Sequence, residues 1–250
     1  MVHNNNEVLA YWNQENIESM YDKFLINQEI DLIKKFIPVG AKILDAGCGE
    51  GEGTLAYASI KGSSVHAADF SDMRINKAKE RLGKINNVRI NKIDFLGSYE
   101  LDYNYDVIIS QRFLINLMEW DLQKKVIRDL SGRLKVNGLL LLLEGSNNGV
   151  ERLNNFRALF NLPPIPVKWH NLFFEDTKLE KYLTDLGLGL TAKEGLSEYF
   201  LLTRGLRPYF EKELNWDSKF NSISASDELK LLLSLGDKYS RLKLWVAKRL

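Results

Sequence analysis

One stretch near the start of the chain combines an acid with closely spaced glycines. Asp45 follows a short apolar run, and Gly47, Gly49, Gly51 and Gly53 then occupy every second position. Glycines cluster in this way where the backbone must turn tightly and let a ligand approach closely. An apolar strand, a glycine loop and a helix are typical of the first crossover in a nucleotide-binding α/β sheet.

The spacing and charge of this loop discriminate between nucleotides. A dinucleotide fingerprint needs a third glycine where Glu52 or Thr54 stands, and the chain has no glycine–lysine–serine or glycine–lysine–threonine sequence for a phosphate-binding loop. Asp45, Glu50 and Glu52 would repel a pyrophosphate from the helix N-terminus. S-Adenosylmethionine carries a sulfonium and an ammonium group and no phosphate. An acid-rich glycine loop therefore favours that cofactor.

Two further acids stand at the ends of predicted strands. Asp69 lies twenty residues after Gly49, where a carboxylate can accept hydrogen bonds from both ribose hydroxyls. Asp94 ends the next predicted strand and is placed to accept from the adenine amino group. Cys48 is interpreted as a small loop residue and not as a nucleophile, because neighbouring carboxylates raise a thiol pKa.

The acceptor side of the site is predicted from three side chains further along the chain. His170 follows a proline-rich segment and is a candidate general base, with a structural loop histidine as the alternative. Glu144 ends the fifth predicted strand and competes for the role of base. Arg112 follows the fourth strand and either holds an anionic acceptor or pairs with Glu144. The predicted reaction is in-line methyl transfer, which depends on alignment.

These motifs resemble those of a known family. Residues 43–51, Ile-Leu-Asp-Ala-Gly-Cys-Gly-Glu-Gly, are similar to the first motif of class I S-adenosylmethionine-dependent methyltransferases, and Asp69 and Asp94 match that family's next two acidic positions. Residues 134–140 resemble its turn before the fifth strand, with Val136 and Asn137 replacing proline and glycine. The resemblance covers residues 40–145 and implies S-adenosylmethionine as cofactor and S-adenosylhomocysteine as product.

A weaker resemblance concerns the acceptor. Residues 110–117, 144–145 and 162–171 look like a bacterial subgroup of small-molecule methyltransferases whose members often sit among genes for surface polysaccharides. It implies a small polar or anionic acceptor, such as a sugar, a nucleotide sugar or a phosphorylated compound. Oxygen is the expected methylated atom.

The candidate site residues fall into two groups, and no metal ligand is among them, because the thioether leaving group is neutral. The predicted cofactor contacts are Asp45, Gly47, Cys48, Gly49, Gly51, Asp69, Phe70, Asp94, Phe95, Ser110 and Tyr21. The predicted acceptor contacts are Tyr11, Trp12, Gln111, Arg112, Asn116, Asn171, Tyr199 and Arg204. Because ligands bind at the carboxyl ends of strands in open α/β sheets, residues that follow predicted strands dominate both groups.

The hydrophobic pattern predicts the elements that position these residues. Apolar strands alternate with helices, which indicates an α/β, doubly wound, Rossmann-like fold with a mostly parallel seven-stranded sheet and helices on both faces. We expect one domain, comprising an N-terminal helical lid (1–38), a cofactor-binding core (39–145), an inserted acceptor cap (146–210) and a C-terminal helix with a final strand (211–250). Residues 7–37 are predicted as one helix. The predicted strands are 42–45, 65–69, 87–94, 105–110, 139–143, one within 188–203, and 241–248.

Composition narrows the function further. The 250 residues include 34 basic and 33 acidic ones, a formal net charge of +1, which does not favour nucleic-acid or membrane-surface binding. The chain has a single cysteine, no signal-peptide pattern and no long apolar run, which predict a cytoplasmic protein. We expect it to be a monomer or a homodimer. Two alternatives remain: a non-catalytic binder of the cofactor, or an N-methyltransferase of a small amine or protein. RNA base methylation is disfavoured, because Ser110-Gln111-Arg112-Phe113 replaces the amino-directed tetrapeptide after the fourth strand.

Overall fold

A seven-stranded sheet forms the centre of the protein in the computed structural model, which describes residues 5–15, 17, 21–211, 213 and 215–250. The strands are β1 (Lys42–Ala46), β2 (Ser64–Asp69), β3 (Val88–Lys92), β4 (Tyr105–Gln111), β5 (Leu134–Gly145), β6 (Leu188–Gly195) and β7 (Leu242–Arg249). Their order is β3-β2-β1-β4-β5-β7-β6. The first five strands pair in parallel, and β7 runs antiparallel between β5 and β6. The predicted doubly wound sheet is confirmed.

Helices cover both faces of this sheet. They are α1 (Asn5–Trp12), α2 (Lys23–Lys34), α3 (Glu52–Ala58), α4 (Asp72–Leu82), α5 (Trp120–Ser131), α6 (Asn147–Ala158), α7 (Asp176–Asp185), α8 (Ser197–Phe200), α9 (Arg207–Phe210), α10 (Lys219–Ser224) and α11 (Asp227–Leu233). A short 3-10 turn spans Leu114–Asn116, and a π-helical segment spans Leu201–Leu206. Alternate residues of β5 enter different cores: Leu140 and Leu142 face one, and Leu141 and Leu143 the other. This is why the strand is continuously apolar.

The single helix predicted over residues 7–37 is wrong. The structure divides it into α1 and α2. The Asp22 side chain accepts a hydrogen bond from Leu25 N at 3.1 Å and caps α2, and such a cap favours a helix start over continuation of the preceding helix. Residues 16 and 18–20 of the predicted helix lie outside the described part of the chain. The predicted C-terminal helix is likewise two short helices, α10 and α11.

A tight backbone contact fixes the chain just before β7. The carbonyl oxygen of Ser240 lies 1.8 Å from the position that a Cβ on Gly149 would take. In addition, Ser146 N donates to the carbonyl oxygen of Arg241 at 2.9 Å. Since β7 is antiparallel, with Leu242 opposite Gly145, this contact anchors its first residues at the edge of the sheet where the parallel strands end.

We expect Gly149→Ala to lower the free energy of unfolding by about 2–3 kcal/mol, because the new methyl group overlaps a backbone carbonyl that cannot move without shifting β7. Chemical denaturation measures the change. Gly132→Ala is the matched control: Gly132 has φ −64° at the end of α5, and its nearest neighbour would be 3.5 Å from the Cβ. Equal stability of the two variants would contradict the proposed anchor.

Candidate active site

A cavity of about 610 Å³ opens at the carboxyl ends of the parallel strands, within the size range of small-molecule sites. The glycine loop after β1 forms one wall. The ends of β2 and β4 and the start of β7 contribute others, and α1 and the segment 165–173 lie across it. Most of the residues predicted for the cofactor and the acceptor therefore meet in one place.

Backbone hydrogen bonds hold the glycine loop against the cavity. The N–H groups of Gly47 and Cys48 donate to the carbonyl oxygen of Ala68 at 2.8 and 3.0 Å. Gly47 has φ +75°, and a Cβ there would lie 2.3 Å from the Phe113 side chain, so the position requires glycine. A Cβ on Gly49 would meet nothing within 4 Å. The loop therefore leaves space for a ligand against its backbone.

Two buried carboxylates, Asp45 and Asp69, face the cavity beside this loop. Asp45 accepts from the Thr54 hydroxyl at 2.5 Å, and burial raises its pKa to about 6. Asp69 accepts from Gly49 N at 3.0 Å and from Ser71 N at 2.9 Å. Neither carboxylate has an ion-pair partner within the described ranges. Unpaired buried carboxylates favour a cationic ligand with hydroxyl donors.

Glu50 and Glu52 form ion pairs, which corrects the charge argument made from the sequence. Glu50 pairs with Arg74 and with Lys77, the latter at 3.1 Å, and Glu52 pairs with Arg81 at 3.3 Å. Partners on α4 therefore neutralise the two loop glutamates that the sequence argument counted against a pyrophosphate. The second unpaired carboxylate beside the loop is instead that of Asp69, which the fold brings close to Asp45. The negative potential of the loop thus has a different source.

Cys48 behaves as the sequence predicts. Burial, followed by the charges of Asp69 and Asp45, raises the pKa of its thiol well above the usual value. The thiol is therefore not an activated nucleophile at neutral pH. Cys48 lines the cavity as part of the loop.

Most other predicted cofactor residues also line the cavity. Tyr21, Phe70, Asp94 and Phe95 do so, and the carboxylate of Asp94 accepts from Leu96 N at 2.9 Å. Phe95 is buried against Phe113, with ring centroids 5.3 Å apart, and forms an apolar wall. These contacts remain predictions for the bound state.

Two of the predicted cofactor residues do not reach the cavity. Gly51 packs instead against Leu82, where a Cβ would lie 2.5 Å away. It turns the chain into α3 in the left-handed conformation, with φ +82°. Ser110 is fully buried in β4 and donates to Glu144 at 2.6 Å. Both therefore support the site from behind its wall.

An aromatic group surrounds His170 on the acceptor side. The rings of His170 and Tyr11 stack at 4.5 Å, and Trp12 and Trp169 approach the histidine edge-on at 5.5 and 5.2 Å. His170 is buried, lines the cavity and leaves Nδ1 without a hydrogen-bond partner. Burial, followed by the charge of Lys168, lowers its pKa to about 4. The imidazole is therefore neutral near pH 7 and able to accept a proton.

Hydrogen bonds tie α1 to both sides of the cavity. Trp12 Nε1 donates to the Asn116 side-chain oxygen at 3.1 Å, and the Ser71 hydroxyl lies 3.3 Å from the Trp12 carbonyl oxygen. The Arg74 guanidinium lies 5.1 Å from the centre of the Trp12 ring. Asn116 also donates to the carbonyl oxygen of Arg112 at 2.7 Å. Tyr11, Trp12 and Asn116 thus lie on the cavity wall, and their contact with an acceptor stays a prediction.

Glu144 does not face the cavity, contrary to its predicted role as a base. Its carboxylate is fully buried and accepts from the Ser110 hydroxyl and from the backbone N–H groups of Phe113, Leu114 and Ile115. Burial raises its pKa to about 7 despite these four donors. Glu144 therefore organises the loop after β4 and has no access to an acceptor.

Arg112 pairs with a different acid from the one that the sequence suggested. Its partner is Glu29 on α2, at 3.2 Å, and not Glu144. Gln111 donates to the same Glu29 carboxylate at 2.8 Å, and Tyr57 donates to the Gln111 carbonyl at 3.0 Å. Arg112 has φ +54°, a strained conformation that is common at functional sites. Both Gln111 and Arg112 line the cavity, and their contact with an acceptor stays a prediction.

Of the remaining predicted acceptor residues, two line the cavity and one does not. Asn171 and Arg204 line the cavity. Tyr199 does not: it is buried, and its hydroxyl donates to the Asp22 carboxylate at 2.7 Å. Arg204 pairs with the same Asp22 and lies 4.4 Å from the centre of the Trp216 ring. Tyr199 is therefore a structural residue beneath the acceptor side.

Sequence reasoning missed Arg241, which lines the cavity at the start of β7. Its guanidinium lies 5.4 Å from the centre of the Phe173 ring. The sequence predicts that the final strand begins near this residue. It does not predict that this strand runs antiparallel to its neighbours. The direction is the missing signal, because it brings the start of β7 to the edge where the parallel strands end.

No group of three or more His, Cys, Asp or Glu side chains in the described ranges is arranged to hold a metal ion. Within the same ranges, none of the helices has both the length and the apolar character that a membrane crossing requires.

Comparisons with known proteins agree with this site. A methyltransferase domain family matches residues 43–138. The chain is 33% identical over 112 residues to a ribosomal protein L11 methyltransferase from Thermosipho melanesiensis, covering 44% of this chain and 40% of that protein. It is 29% identical over 154 residues to the ubiquinone/menaquinone biosynthesis C-methyltransferase UbiE from Vibrio parahaemolyticus, covering 58% and 57%. The chain thus spans about half the length of these two curated relatives.

A solved structure matches over almost the whole chain. It is geranyl diphosphate C-methyltransferase from Streptomyces coelicolor in complex with Mg²⁺, geranyl diphosphate and S-adenosylhomocysteine. The TM-score is 0.64 at 13% identity, with 98% of each chain covered. At this identity the likeness establishes the fold.

The sheet order and the acid-lined glycine loop define a Rossmann-like methyltransferase fold of class I. Residues 43–138 match a methyltransferase domain family, and the chain has the fold of the class I S-adenosylmethionine-dependent methyltransferases.

The buried, neutral state of His170 makes folding stability depend on pH. Its pKa is about 4 in the folded protein against an ordinary value of 6.5. Between these values the unfolded chain binds a proton that the folded protein does not, so the free energy of unfolding falls as pH is lowered from 6.5 to 4. His170→Phe keeps an aromatic ring but cannot titrate, and its stability should fall by about 1–2 kcal/mol less over this range.

Urea denaturation at several pH values measures this difference. His66, whose pKa burial also lowers to about 4, is present in both proteins, so the difference isolates His170. Parallel stability curves for the two proteins would show that His170 is not held neutral by burial.

Proposed function

We propose that this protein transfers the methyl group of S-adenosylmethionine to an oxygen of a small polar acceptor. The observation that carries the proposal is the placement of His170 in the same cavity as the glycine loop, in its neutral form. A hydroxyl acceptor must lose a proton when it is methylated, and a neutral imidazole within the cavity can take it.

The chain's residues fit the cofactor at the glycine loop. Gly49 offers open backbone, and Asp45 supplies uncompensated negative charge for a cationic ligand. Each oxygen of the Asp69 carboxylate accepts one hydrogen bond from a backbone N–H group. The remaining lone pairs can accept from the ribose hydroxyls. Phe95 and Asp94 line the adjoining wall for adenine. When bound, the cofactor supplies an electrophilic methyl group on a sulfonium.

The acceptor would lie between His170 and the glycine loop. Tyr11 and Trp12 on α1 cover this space, and they exclude water from the reacting groups. The His170 imidazole then removes the hydroxyl proton, and the aromatic rings around it hold its orientation. Glu144 takes no part in the proton transfer, since its oxygens are occupied by the loop after β4.

Methylation of carbon is the second candidate. Two of the similar proteins are C-methyltransferases by name, and the rings of Tyr11 and Trp12 give the cavity an aromatic lining for an apolar or planar acceptor. A base such as His170 serves this reaction as well, by removing a proton from a neighbouring hydroxyl or from the methylated carbon. The two reactions differ in the atom that receives the methyl group, and product analysis separates them.

The deciding experiment is a methyl-transfer screen with isotope-labelled S-adenosylmethionine against sugars, nucleotide sugars, phosphorylated metabolites and hydroxylated aromatic compounds. Mass spectrometry identifies the labelled product, and NMR distinguishes an O-methyl from a C-methyl group. Tight binding of S-adenosylhomocysteine without any labelled product would favour the non-catalytic alternative. Absence of cofactor binding would overturn the proposal.

Asp69→Asn should weaken S-adenosylhomocysteine binding at least ten-fold. The substitution removes the negative charge, and its amide nitrogen would oppose the N–H group of either Gly49 or Ser71. Isothermal titration calorimetry measures the affinity, and thermal melting confirms the fold. Asp72→Asn is the matched control, because Asp72 is exposed on α4 and pairs with Lys92 at 2.6 Å. Unchanged affinity in a folded Asp69→Asn protein would remove the ribose assignment.

His170→Gln and His170→Phe should both lower kcat by about 100-fold or more, the usual contribution of a general base. Cofactor affinity should stay within a few-fold of the original, because His170 lies on the acceptor side. Steady-state kinetics with the acceptor from the screen, together with calorimetry, provide the two readouts. A fully active variant would exclude His170 as the base.

A further inference from the structure

We propose that Arg241, assisted by Arg112 and Arg204, binds an acid group of the acceptor, so that the methylated compound is a carboxylate or a phosphate ester. The inference rests on the proposed function and names the substrate class of the same site. All three arginines line the cavity. Arg241 is the member of this arginine group that carries the argument.

Arg241 differs from the other two in its partners. Arg112 pairs with Glu29 and Arg204 with Asp22. Within the described ranges, the side chain of Arg241 has no hydrogen bond or ion pair, and its recorded contact is the face of the Phe173 ring, 5.4 Å away. Five N–H donors of a guanidinium therefore stand at the cavity wall without an acceptor from the protein.

The surroundings make this charge costly without a ligand. Burial, followed by the charges of Arg204 and Arg112, lowers the pKa of Arg241 to about 10. The guanidinium is still charged at neutral pH, and like charges surround it. A cation in this position loses part of its hydration, and among the described residues it gains only the weak attraction of the Phe173 ring. An anion that binds beside Arg241 would compensate the guanidinium that lacks an acid partner.

The backbone keeps Arg241 in this place. Its carbonyl oxygen accepts from Ser146 N at 2.9 Å, and the preceding residue, Ser240, packs against Gly149. A Cβ on Gly145 would lie 2.3 Å from Phe173, which fixes the ring beneath the guanidinium. The position of Arg241 therefore comes from close backbone packing and does not depend on a side-chain partner.

Sheet order separates the arginine group from the acids. Asp45 lies near the end of β1, Asp69 ends β2 and Asp94 follows β3, and these strands form one half of the sheet. Arg112 follows β4 and Arg241 precedes β7, in the other half. The cavity is thus negative where a cationic cofactor fits and positive on the acceptor side. This arrangement suits an anionic acceptor beside a cationic methyl donor.

Carboxylates and phosphates share the chemistry that the arginine group recognises. Both accept two parallel hydrogen bonds from a guanidinium, which a lysine cannot provide. The test therefore uses both. We would titrate inorganic phosphate and acetate, separately, into the full chain saturated with S-adenosylhomocysteine, and follow binding by calorimetry at low ionic strength. The anion that binds more tightly identifies the acid group.

The variants are Arg241→Gln, Arg241→Lys and, as matched control, Arg152→Gln. Arg152 is exposed on α6 and does not line the cavity. Arg241→Gln should weaken anion binding at least ten-fold, and Arg241→Lys, which keeps the charge but loses the two-pronged geometry, several-fold. Arg152→Gln should bind like the original protein. If Arg241→Gln does not fold, Arg241→Lys decides.

The outcomes separate this inference from the proposed function. Failure of the unaltered protein to bind S-adenosylhomocysteine would overturn both. Binding of S-adenosylhomocysteine without anion binding, or anion binding that is the same in the Arg241 variants and the control, would overturn the anion site alone. Weaker S-adenosylhomocysteine binding in Arg241→Gln would assign Arg241 to the carboxylate of the cofactor and would also overturn it.

Discussion

The carboxylate of Asp69 connects the parts on which the site depends. One of its oxygens accepts from Gly49 in the loop after β1, and the other accepts from Ser71 at the start of α4. The same Ser71 contacts α1 through the carbonyl oxygen of Trp12. A single buried acid thus joins two loops and, through one more residue, the helix above the cavity. Because its burial leaves negative charge next to Asp45, it also sets the sign of the potential there.

Sequence alone predicts this half of the site well, because its signals are local. Asp45 and Asp69 each end an apolar strand, and glycine spacing identifies the loop between them. What the sequence could not supply was charge pairing across elements. Glu50 and Glu52 seemed free in the linear chain, yet α4 brings Arg74 and Arg81 to them. The loop keeps unpaired negative charge at Asp45, but two of the three carboxylates that the sequence argument cited are paired.

The acceptor half is less predictable, for physical reasons that differ between residues. Glu144 stands at the end of a strand, but its carboxylate serves the backbone of the next loop and not the cavity. Tyr199 lies in the expected segment, yet Asp22 occupies its hydroxyl. Arg241 depends on the direction of the last strand, which no local pattern encodes. His170 could be proposed because rigid proline residues precede it, but its neutrality follows from burial against Tyr11 and Trp169.

The packing of Ser240 against Gly149 has a consequence for how such an enzyme changes its preference. The backbone at position 241 is set by contacts that do not involve the side chain of that residue. A different side chain can therefore be introduced there without rebuilding the sheet, and the acid-lined loop in the other half of the sheet would keep its geometry. The side chain at position 241 can thus change independently of the glycine loop that faces the cofactor. Under the role that we propose for Arg241, one exchange just before the last strand would change the acceptor on an otherwise unaltered scaffold.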